Sequence, residues 1–206
     1  GKTIPSTQSD KRLLTIKQPI GVCALITPWN FPAAMITRKV APALVAGCTV
    51  VIKPAEQTPL SATALAQLAI DAGVPKGVIN IIVCGNPVEV GEEICSNKNI
   101  KKISFTGSTE VGKYLLEKSA GTVKKTSMEL GGNAPLIIFN DANIDKAVEG
   151  AIASKYRNSG QTCVCANRIF VQSKIYDDFA KKLSDKVSNM KVGDGLVKGI
   201  DIGPLI

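Results

Sequence analysis

The chain has 206 residues, enough to bury one large core or two smaller ones, with 45% hydrophobic residues and a mean hydropathy of +0.15. Its formal charge of +8 is mostly lysine spread along the chain, and at 4% the aromatic residues are too few for base-stacking platforms, which argues against a nucleic-acid partner. No apolar run approaches the ~20 residues of a membrane helix, which argues against a membrane role, and the absence of histidine leaves Glu, Asp, Lys or Tyr as general base.

The basic excess instead suits an anionic cofactor or substrate. Six cysteines occur without a CxxC pair or any histidine, which argues against a metal site. Cys23, Cys48, Cys84 and Cys95 sit in apolar runs, as core thiols do. Free thiols of this kind point to a reducing compartment, cytoplasm or mitochondrial matrix.

In chain order, residues 1–20 are polar with a short alternating patch at Leu13 to Ile16, and read as a peripheral arm. Short apolar strands then alternate with helices. Strands are expected over 21–26, 48–53, 79–83, 102–105 and 123–128, and helices over 32–46, 59–71, 87–95 and 109–119. This alternation predicts an α/β fold, a parallel sheet built from βαβ units with helices on both faces. At Gly131-Gly132 the pattern restarts with strand 134–139, helix 143–154, a cysteine-bearing stretch, strand 168–172 and helix 174–190. So few elements would leave one face of a second sheet bare, and that domain is expected to continue beyond residue 206.

Ligands gather at the C-terminal ends of parallel strands, so the segments that follow each strand carry the chemistry. After the first core strand, TPWNFP offers the Asn30 amide as a donor to a developing oxyanion; the same residue also fits a turn before a helix. After the second, Lys53 and Glu56 could grip a ribose diol, or form an exposed pair. After the fourth, Gly107 to Lys113 matches GxxxxGK, but Tyr114 stands where a phosphate-binding loop needs Ser or Thr for magnesium. What survives is a Gly-Ser turn at a helix N-terminus, able to meet a pyrophosphate. After the fifth, Glu129 stands among apolar residues and glycines, where desolvation would suit a general base. In NSGQTCVCANR, 158–168, the small polar lead-in leaves Cys163 open to a ligand, although taken alone the pair fits better the commoner role of free cysteines, buried small hydrophobes.

PWNFP, KPAE, FTGS, MELGG and GQTC, in this order, closely resemble the aldehyde dehydrogenase superfamily, NAD(P)-dependent enzymes that oxidise aldehydes to acids. KYRNSGQTCVCANR, with ITRK after the first motif, looks most like the succinate-semialdehyde dehydrogenases of that family. The resemblance implies a Rossmann-type cofactor domain over 21–131, the first part of a catalytic domain over 132–206, and an oligomerisation arm over 1–20 with homodimers or homotetramers. By the same resemblance Cys163 is the nucleophile, Asn30 and the Cys163 N–H form the oxyanion hole, and Glu129 activates water. Lys53 and Glu56 then hold the adenosine ribose, Thr106, Gly107 and Ser108 cradle the cofactor, and Thr27, Pro28, Trp29 and Leu130 lie beside it. Glu56 repels a 2′-phosphate, which favours NAD over NADP.

Arg38 and Arg157 match positions that bind the distal carboxylate of succinic semialdehyde, a task the planar guanidinium fork performs well. Glutarate semialdehyde is the alternative substrate, and a non-catalytic chain that keeps the fold is the alternative role. Cys165, two residues from the nucleophile, suggests an oxidative switch through a Cys163–Cys165 bridge, detectable by mass spectrometry after mild peroxide.

Overall fold

In the computed structural model, which describes residues 1–206, Lys2–Ile4 (β1) and Leu13–Thr15 (β2) pair antiparallel as a hairpin. Its apolar side chains Ile4, Leu13, Leu14 and Ile16 are exposed. A five-stranded sheet follows. Its strands are Val22–Ile26 (β3), Thr49–Lys53 (β4), Ile79–Ile81 (β5), Ile100–Thr106 (β6) and Lys125–Glu129 (β7). The helices between them are Ala34–Val45 (α1), Pro59–Asp71 (α2), Pro87–Ser96 (α3) and Thr109–Ser119 (α4). All neighbouring strands are parallel, in the order β5-β4-β3-β6-β7.

Period-two alternation divides the strand residues between two helical layers. Cys23, Leu25, Val50 and Ile52 pack with Ile36 of α1 and Ala62 of α2, while Val22 and Val51 line the opposite side with Val90 and Ile94 of α3. Burying both faces is why these strands read as continuous apolar runs.

Several boundaries differ from the sequence expectation: β5 ends at Ile81 rather than residue 83, β6 starts at Ile100 rather than 102, and the strand expected from residue 168 starts at Ala166. The last strand of the five-stranded sheet starts at Lys125 rather than residue 123, because Ala120–Thr122 extends α4 as a 3-10 turn and Val123 is left-handed at φ 50°. A β-branched residue adopts that conformation only under constraint, and it delays entry into the strand.

Contacts divide the chain into Gly1–Glu129 and Leu130–Ile206. In the second unit Ala134–Ile138 (β8) and Ala166–Val171 (β9) pair in parallel, joined by Ile144–Lys155 (α5) and followed by Ser173–Ser188 (α6). Asn143 caps α5, its side-chain oxygen accepting from Lys146 N–H at 3.0 Å. Ile138, Val148, Ala151 and Phe179 form the core between sheet and helices. Ile137, Phe139 and Phe170 point away from that core and are exposed. No helix is long and apolar enough to cross a membrane.

Candidate active site

The chain runs from β3 outward through β4 and β5, then returns to place β6 on the other side of β3, which makes a topological switch point between β3 and β6. A cavity of about 280 Å³ opens at the C-terminal ends of these strands. Thr27, Pro28, Trp29, Lys53, Glu56, Thr106, Gly107 and Ser108 all line it. The strand ends are tied together, with Thr27 N–H donating to Lys53 O at 3.1 Å and Gly107 N–H donating to Glu129 O at 3.1 Å.

Inside the cavity Lys53 Nζ donates to Glu56 and to Pro54 O, the latter at 3.3 Å. Partial burial works to raise the Glu56 pKa, but the bond from Lys53, a backbone bond and the lysine charge outweigh it, and the net shift is downward. Gly107 is required by close approach, since a Cβ there would lie 2.4 Å from the Phe105 ring. Ser108 caps α4, its hydroxyl accepting from Val111 N–H at 3.2 Å, so the helix opens onto the cavity with its positive end. Thr27 Oγ1 and Thr106 Oγ1 are buried without hydrogen-bond partners. Two orphaned hydroxyls, a glycine turn, a helix N-terminus and a Lys-Glu pair are the donor set and charge that suit a nucleotide's phosphate and hydroxyl groups.

The P-loop match dissolves in the structure. Thr109 already opens α4, so Glu110 to Lys113 are helical rather than loop, and Tyr114 donates its hydroxyl to Glu92 at 2.7 Å.

A second cavity, about 670 Å³, lies over the sheet face under α1, where Arg38, Lys39, Lys102 and Glu129 meet Ser104 and Ser127. Glu129 closes β7 at the sheet edge and is exposed. Lys39 was not singled out in the sequence. Its side chain is 8% exposed and donates to Ser104 Oγ at 2.9 Å. Burial lowers its pKa to about 8, against the raising charge of Glu129 and with the help of Arg38 and Lys102. The overlooked signal is its register, since Met35, Ile36 and Lys39 share the buried face of α1 at helical spacing.

Asn30 is half-buried in the loop between β3 and α1. Asn30, Arg38 and Glu129 belong to the first unit, whereas Leu130, Arg157, Cys163 and Cys165 belong to the second. Arg157 and Cys163 sit on the loop between α5 and β9, and both are exposed. Cys163 and Cys165 are free thiols that differ sharply in setting, since Cys165 is 1% exposed.

The profile of the aldehyde dehydrogenase family matches residues 1–206. The chain is 65% identical over all its residues to a succinate-semialdehyde dehydrogenase (NADP(+)) of Escherichia coli K12, of which it covers 42%. It is 63% identical, again over its whole length, to a glutarate-semialdehyde dehydrogenase of Pseudomonas putida KT2440, covering 43%. Among solved structures, a succinate-semialdehyde dehydrogenase from Burkholderia pseudomallei superposes with a TM-score of 0.97 at 61% identity, over all of this chain and 42% of the other. The chain thus spans about two fifths of the length of the relatives it matches.

Proposed function

The chain belongs to the aldehyde dehydrogenase family, and from that premise we propose that its residues serve the NAD(P)-dependent oxidation of succinic semialdehyde to succinate. The observation that carries this reading is the cavity at the ends of β3, β4 and β6, which gathers a charged ribose grip and a glycine turn at a helix N-terminus. The exposed cysteine of the second unit supplies the nucleophile.

In this proposal the Cys163 sulfur adds to the aldehyde carbon, and the resulting oxyanion accepts hydrogen bonds from the Asn30 amide and the Cys163 N–H. NAD(P)+, when bound, supplies the two-electron oxidant that turns the thiohemiacetal into a thioester. Glu129 then takes a proton from water as its oxygen attacks the thioester carbon, releasing succinate and restoring the thiol. Thr27, Thr106, Gly107 and Ser108 orient the cofactor, Lys53 and Glu56 hold its ribose, and Pro28, Trp29 and Leu130 shape its surroundings.

Glu56 sets the cofactor preference. A carboxylate at the ribose repels a 2′-phosphate and accepts from a 2′-hydroxyl, which favours NAD. Glu56→Ser is expected to move the NADP/NAD ratio of kcat/KM toward NADP by about 10- to 100-fold, in line with a charge repulsion weakened by solvent. An unchanged ratio removes Glu56 from that role.

Arg157, with Arg38, is proposed to grip the distal carboxylate. Arg157→Ala should raise KM for succinic semialdehyde by about 100-fold, the worth of a charge-assisted bidentate contact, and leave an uncharged aldehyde of the same length nearly unaffected. Equal losses on both aldehydes would end the clamp assignment. Glutarate semialdehyde carries the same carboxylate one methylene further out and is the alternative substrate, favoured by the second relative above; the ratio of kcat/KM for the two aldehydes decides between them. The exposed apolar hairpin β1–β2 is proposed as the subunit contact of a homo-oligomer.

A further inference from the structure

Three consecutive residues ahead of Cys163 are left-handed: Asn158 at φ 52°, Ser159 at φ 59° and Gly160 at φ 77°. Residues other than glycine visit this region singly and at a steric cost, so a run of three persists only where neighbouring contacts hold it. Immediately downstream, Cys163 and Val164 are the two central residues of a turn closed by Cys165 N–H donating to Thr162 O at 3.4 Å. The same end residues are joined again through their side chains, with Thr162 Oγ1 and Cys165 Sγ 2.7 Å apart.

The Cys165 sulfur reaches further. It lies 3.3 Å from Gly160 O and 3.6 Å from Lys155 O, and its residue is 1% exposed. One buried thiol therefore touches the end of α5, the end of the left-handed run and the base of the turn that carries Cys163. A thiol has one proton to give and a weak acceptor. The set is satisfied when the Thr162 hydroxyl donates to sulfur and the S–H donates to Gly160 O. Two further bonds brace the same loop, Ser159 Oγ donating to Gly203 O at 3.3 Å and Ile206 N–H donating to Gln161 Oε1 at 3.2 Å.

We propose that Cys165 is a positioning residue: its buried thiol locks the turn that presents both the Cys163 sulfur and the Cys163 N–H. The proposal rests on the reading of Cys163 as nucleophile. It gives the second cysteine of the loop a task that needs no oxidation. Alanine at 165 fills part of the space but leaves Thr162 and Gly160 without their partner, whereas serine restores a donor and an acceptor at the same position.

The test compares Cys165→Ala and Cys165→Ser in the full-length protein by single-turnover acylation rate, dinucleotide Kd and Tm. Misplacing a reacting group by about 1 Å costs up to 100-fold in rate. Cys165→Ala is accordingly expected to slow acylation by about 10- to 100-fold with the dinucleotide Kd unchanged, and Cys165→Ser to recover most of that loss. Wild-type acylation in Cys165→Ala overturns the proposal. So do equal losses in both variants accompanied by a large fall in Tm and weaker dinucleotide binding, which would mark a packing role alone. Iodoacetamide modification mapped to Cys163 in the wild-type protein is the separate control. If turnover survives it, the nucleophile reading falls, and the positioning role falls with it.

Discussion

Cys163→Ser is expected to lower kcat by at least about 10³-fold while leaving the dinucleotide Kd within a factor of two or three of wild type. The reason is chemical. A thiol loses its proton near neutral pH far more readily than an alcohol, and a serine nucleophile needs a base at hydrogen-bond distance to take its proton. None of these 206 residues is a histidine, so the usual partner for such a serine is not among them. The substitution exchanges one atom and leaves the residues of the cavity proposed for the cofactor, at the ends of β3, β4 and β6, unchanged, so dinucleotide binding should survive the change. Stopped-flow absorbance gives kcat, and cofactor fluorescence gives the Kd. Turnover within tenfold of wild type would assign the nucleophile elsewhere.

Glu129→Gln separates the two halves of the reaction. Glutamine keeps the shape and one acceptor but cannot take a proton from water, so acylation should proceed while hydrolysis slows by about 10²- to 10⁴-fold, the usual contribution of a general base. The trace expected is a burst of about one equivalent of reduced cofactor per active subunit, followed by near arrest. The substitution is structurally mild, since Glu129 is exposed and its contact with the Gly107 turn runs through its carbonyl, which accepts from Gly107 N–H at 3.1 Å. Loss of the burst itself would show that Glu129 acts before the thioester forms.

The parallel sheet was legible because its strands are buried on both faces and read as apolar runs between helices with clear ends, such as Gly73 after α2 and Ser108 before α4. The cavity-lining residues could be anticipated for the same reason, since strand ends mark where loops converge. Three features were not legible. The left-handed Val123 has no local signature, because nothing in its chemistry asks for positive φ. The exposure of Glu129 follows from β7 being an edge strand, and strand order is a tertiary property that MELGG does not encode. The contrast between Cys163 and Cys165 depends on the left-handed run Asn158–Ser159–Gly160, which turns the second thiol toward Thr162 and Gly160. Lys39 lay within reach of the sequence, as a lysine at helical spacing from Met35 and Ile36, but a lone cation on an apolar face ordinarily extends its tip to water.

The central claim is a covalent thioester on Cys163, formed from a carboxylate-bearing aldehyde and cleared by Glu129. It is tested most directly by acid-quenching the full-length Glu129→Gln protein after mixing with NAD and succinic semialdehyde, then locating added mass by peptide mass spectrometry. One succinyl group on the peptide carrying Cys163, absent without NAD and absent in Cys163→Ser, is the predicted result. An unmodified Cys163 peptide at a time when reduced cofactor has already appeared would contradict it.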